Sequence, residues 1–60
     1  MDLPNYEISP ETELEMYKEA AKSGNTSAML ELANYYEKGI GTAIDLKLAE
    51  FWRNVANGYI

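Results

Sequence analysis

The sequence predicts an all-α fold of three short helices, and three features carry that prediction. Apolar residues recur at spacings of three and four in three separate segments, and no segment shows the strict alternation of a strand. A side chain able to cap a helix precedes each segment, and a glycine follows each one.

The first segment begins at Ser9-Pro10-Glu11. Ser9 can accept a bond from the first turn, and Pro10 suits that turn because its missing N–H would be unpaired there anyway. A helix is expected over residues 10–23, preceded by an extended arm over residues 1–9. Glu11 and Glu13 sit near its positive end and Lys18 and Lys22 toward its negative end, both favourable placements. Gly24 ends it. Asn25-Thr26-Ser27 matches a glycosylation sequon but reads as the cap of a second helix over residues 26–38, stopped by Gly39-Ile40-Gly41. Asp45 caps a third helix over residues 46–57, with Ile44 as a hydrophobic staple before it and Gly58 as its stop.

The apolar faces differ in width. Leu14, Tyr17, Ala20 and Ala21 occupy about 120° of the first helix, while Glu11, Glu15, Glu19, Lys18 and Lys22 share its other side. Glu13 falls within the apolar arc and is expected to reach solvent from the first turn. Ala28, Met29, Leu32, Ala33, Tyr35 and Tyr36 cover about 160° of the second helix, enough to meet a neighbour on each side. Leu48, Ala49, Phe51, Trp52, Val55 and Ala56 cover about 160° of the third, which has no fourth helix in this chain to cover its second flank.

Composition narrows the chemistry. The 60 residues form one small domain, of a size that buries only about 60% of the surface its unfolded chain exposes. There is no cysteine and no histidine, which removes disulfides, thiolate metal sites, cysteine nucleophiles and the commonest general base. No nucleophile–base pair, phosphate loop or calcium loop is legible, so neither catalysis nor a cofactor nor a metal is expected. Ten acidic residues against five basic ones leave a net charge of −5, which argues against nucleic acid as a partner. All of that imbalance lies in residues 1–19, where Asp2, Glu7, Glu11, Glu13, Glu15 and Glu19 face Lys18 alone. No apolar run is long enough to span a membrane, and none reads as a secretory signal; a cytoplasmic location is expected.

The alanines near the end of the first helix are echoed at Ala56-Asn57, an offset of 36 residues that points to stacked helical pairs. The stretch from Ala20 to Ala56 resembles the Sel-one-like repeat, a relative of the tetratricopeptide repeat. Ala20, Ala21, Gly24, Ala28, Leu32, Tyr36, Gly39, Gly41, Asp45, Ala49, Trp52 and Ala56 stand at the spacing of that family's pattern. Ala33, Thr42, Asn57 and Ile60 depart from it, replacing a glycine, a valine, an alanine and a glycine. The resemblance spans about residues 13–60 and implies one complete helical pair preceded by half of another, in an alpha-alpha superhelix. The physical roles are structural: small alanines let helices approach closely, Tyr36 and Trp52 supply most of the area between them, and Gly39 and Gly41 permit the turn.

The resemblance implies a non-catalytic adaptor that holds a protein partner along its inner helices. By that likeness Ser27, Glu31, Asn34, Tyr35 and Lys38 would face the partner. A different reading makes the chain a small acidic inhibitor, an immunity protein or antitoxin, meeting a basic partner through Glu11, Glu15 and Glu19, which share one face of the first helix. Independently, the uncovered flank of the third helix marks Leu48, Phe51, Val55, Tyr59 and Ile60 for self-association, so a homo-oligomer is expected, by stacking or by helix exchange.

Overall fold

A computed structural model of the chain describes residues 8–59. Three helices, α1 (Pro10–Lys22), α2 (Thr26–Lys38) and α3 (Leu46–Ala56), account for the regular structure, and no strand occurs among the described residues. The arm expected before the first helix lies, up to residue 7, outside the described residues; so does Ile60.

Each helix begins on its expected cap. The Ser9 hydroxyl accepts from the Thr12 N–H at 3.2 Å, the Asn25 side-chain carbonyl from the Ala28 N–H at 3.1 Å, and the Asp45 carboxylate from the Leu48 N–H at 3.0 Å. Each also closes alike. The amides of Asn25, Ile40 and Tyr59 reach back to the carbonyls of Ala20, Tyr35 and Asn54 at 3.0, 2.9 and 2.9 Å, the outer bond of a Schellman ending. Ser23 and Asn57, expected as last helical residues, are instead the capping residues beyond the helices.

α2 lies between the other two helices and packs against both, while α1 and α3 do not touch. The core accordingly centres on α2: Ala28, Met29, Leu32, Ala33 and Tyr36 are buried, joined by Leu14 and Ala21 from α1 and Ala49 from α3. Tyr17, Ala20, Tyr35, Trp52, Val55 and Ala56 pack around it, partly covered. Tyr36 is buried, and Trp52, partly exposed, packs against the same cluster.

The turn from α2 to α3 does more than reverse the chain. Gly41 has φ +73°, and a Cβ placed on it would sit 2.5 Å from the carbonyl oxygen of Pro10. The α2–α3 turn is thus laid directly on the start of α1, and glycine is required both for backbone conformation and for close approach. The Asp45 N–H donates to the Tyr36 carbonyl at 2.8 Å and ties the far end of the turn back to α2. Ile44 does not act as a staple. It is 64% exposed, and its side chain lies over Gly39 instead.

Candidate binding surfaces

The antiparallel packing of α1 on α2 leaves an open groove of about 610 Å³ between them. Its lining comes from Met16, Tyr17 and Ala20 on α1, Asn25 at the cap, and Ser27, Ala28 and Glu31 on α2. Ala20 and Ala28 put little bulk into that space. A smaller cavity of about 140 Å³ continues it toward the start of α1, bounded by Ile8, Glu13, Met16 and Tyr17.

An aromatic contact sets one wall. The rings of Tyr17 and Tyr35 meet edge to face, with centroids 5.2 Å apart at 74°. The Tyr35 hydroxyl donates to a Glu13 carboxylate oxygen at 3.3 Å. Glu13, expected to escape to solvent, instead stays half-buried and links the first turn of α1 to the last turns of α2. Partial burial, and after it the Glu13 carboxylate, pushes the Tyr35 phenol above its ordinary range. The phenol is therefore held as a neutral donor over a wider pH span.

The five residues expected to share a partner-facing surface divide between two sides of α2. Ser27 and Glu31 line the groove, and Tyr35 adjoins it through Tyr17. Asn34 faces α3, where its carbonyl oxygen accepts from the Arg53 guanidinium at 3.1 Å. Arg53 also pairs with Glu37, so α2 and α3 are laced along their solvent edge. Lys38 is exposed in the last turn of α2. Period analysis treats positions three and four apart as one face. The Arg53 bond to Asn34 requires knowing which side of α2 receives α3, which the sequence alone does not display.

Glu11, Glu15 and Glu19 are all exposed along the outer side of α1. Lys18 donates to Glu15 at 3.3 Å, and that bond holds its ammonium above its ordinary range. Among the described residues no three acidic side chains gather closely enough to hold a metal ion.

On α3 only Ala49 is buried. Leu48 and Phe51 remain 38% and 43% exposed, Tyr59 is fully displayed, and Val55 is partly covered by the core. Phe51 meets Trp52 edge to face at 5.1 Å, which fixes the direction in which it projects. Leu46, not singled out from the sequence, is also largely exposed. Among the described residues no helix is long and apolar enough to cross a membrane.

No family model, curated protein or solved structure matches the chain.

Proposed function

We propose that the chain is a protein-binding module of the Sel-one-like repeat type, performing no chemistry of its own and receiving a partner along the groove between α1 and α2. The observation that carries this reading is the groove itself. It is too open to enclose a small molecule, yet it offers an apolar floor of Met16, Tyr17, Ala20 and Ala28 between polar rims at Asn25, Ser27 and Glu31. Tyrosine suits such a surface because it offers large contact area at small entropic cost. Glu31 and the nearby Glu13, with no basic residue in the lining, favour a partner segment that presents a cation beside an apolar side chain. A chain without cysteine fits work in the cytoplasm.

Site-specific photo-crosslinking in the source cell tests this. A crosslinker at Ser27 should yield a discrete adduct with another protein, and the same group at Glu19 on the outer side of α1 should not. Adducts from Glu19 alone would overturn the groove reading and favour a partner held by the acidic face.

A further inference from the structure

The groove between α1 and α2 carries charge that the chain itself leaves unanswered. We infer that its end at Glu13 and Tyr17 receives a lysine side chain of the bound partner segment, while apolar side chains of the same segment lie over Met16 and Ala20, an assignment that rests on the reading of the groove as a partner site.

Charge comes first. Glu13 borders the smaller cavity, and Glu31 lines the groove. The ion pairs among the described residues join Lys18 to Glu15 and Arg53 to Glu37, so neither Glu13 nor Glu31 is matched by a cation of its own chain there. Residues 1–7 contain Asp2 and Glu7 but no lysine or arginine, so no basic side chain comes from that segment.

The surroundings of Glu13 fit a long side chain with a charged end. The cavity of about 140 Å³ beside it is walled by Ile8, Met16 and the Tyr17 ring. An alkyl stem can lie against Ile8 and Met16 while its ammonium meets the carboxylate close to an aromatic ring. Glu13 is half-buried, whereas Glu15 and Glu19 on the outer side of α1 are exposed. Water screens the attraction less at Glu13, so a cation gains more there.

The hydrogen bonding of Glu13 selects lysine over arginine. Its Oε1 already accepts from the Tyr35 hydroxyl at 3.3 Å, and the Tyr35 ring is itself held against Tyr17. The other oxygen is left for a ligand. One acceptor is enough for an ammonium, whereas a guanidinium gains most from a carboxylate that offers both oxygens to its fork.

Selection of a random peptide library on the immobilised full chain tests this. Peptides that bind and crosslink to a photoreactive group at Ser27 should share a lysine beside apolar residues, with arginine rarer at that position. In the tightest of them, exchange of the lysine for norleucine should raise the dissociation constant about tenfold, the scale of one charge-assisted hydrogen bond. Glu13→Gln keeps an oxygen for the Tyr35 hydroxyl and removes only the charge, and it should cause a similar rise. Glu19→Gln removes the same charge from the outer side of α1 and should leave the constant within about twofold. Tyr35→Phe frees the second oxygen and should narrow the margin between the lysine peptide and its arginine form. Peptides that crosslink at Ser27 with no basic residue in common, that take arginine as readily as lysine, or that weaken equally with Glu13→Gln and Glu19→Gln would overturn the assignment and leave the groove a partner site. A selection in which no peptide crosslinks at Ser27 would overturn the groove reading and the assignment with it.

Discussion

Helices α2 and α3 carry seven apolar residues each, yet α2 buries five residues of its thirteen and α3 one of its eleven. Composition does not separate them; neighbours do. α2 has a helix on both sides, and its wide apolar arc is consumed by Leu14 and Ala21 from one and Ala49 from the other. α3 meets α2 alone, so an arc of similar width leaves Leu48 and Phe51 in solvent. Apolar width reports how many neighbours a helix is made for. The gap between that number and the neighbours present leaves apolar surface of α3 in solvent.

The comparison is broken most severely at the centre. Leu32 is completely buried. Leu32→Ala should cost about 3 kcal/mol, and in a domain this small that should abolish a cooperative urea transition followed by circular dichroism. A destabilisation below about 1 kcal/mol would show that α2 is not the centre of the core.

The next effect belongs to the turn. Gly41→Ala sets a Cβ against the Pro10 carbonyl at a positive φ and should cost about 2–3 kcal/mol. Gly24→Ala carries the same kind of backbone penalty with no atom within 4 Å of the added Cβ, and should cost about 1 kcal/mol. The difference between the two isolates the docking of the turn on α1. Equal losses would mean that the approach to Pro10 relaxes freely.

A smaller effect lies in the groove wall. Tyr35→Phe keeps the ring contact with Tyr17 and removes the bond to Glu13, for a small loss of stability, below that of Gly24→Ala, by thermal or urea unfolding. The raised pKa of the Tyr35 phenol gives the same contact a pH signature. A group harder to ionise when folded contributes its full stability below the unfolded value near pH 10 and loses it as pH rises through the folded value. Stability should therefore decline from about pH 10 upward, and the decline should be shallower in Tyr35→Phe. Lys18, also raised, adds to the loss in the same direction and remains in both proteins.

The smallest effect on a single folded chain should come from the flank of α3. Leu48→Ser should change the stability of that chain by no more than about 0.5 kcal/mol, measured where the chain is monomeric. A loss comparable to that of Leu32→Ala would erase the contrast between the two helices.

Much of the fold was legible because local rules agreed with one another. Ser9, Asn25 and Asp45 cap as their types suggest, and Ala28, Leu32, Ala33, Tyr36 and Ala49 are buried where the helical period puts them. What was not legible depends on how helices are set against each other. Gly41 reads as a turn residue, and nothing local says that its missing side chain makes room for Pro10. Glu13 reads as a misplaced carboxylate until Tyr35, 22 residues away, supplies its donor. Asn34 and Tyr35 are adjacent in the chain but serve opposite neighbours, Arg53 on one side and Tyr17 on the other. The groove lies between α1 and α2 and depends on how the two are set against each other, which a helical period alone does not contain.

Trp52 gives the most direct view of the uncovered flank, because it is the single tryptophan and its ring rests against Phe51. Its emission should shift modestly to the red when Phe51→Glu removes that ring, with the helical circular dichroism retained because Phe51 lies outside the core. An unchanged emission, or a loss of helix with the substitution, would mean that Phe51 is not the exposed edge of α3, and would contradict the account.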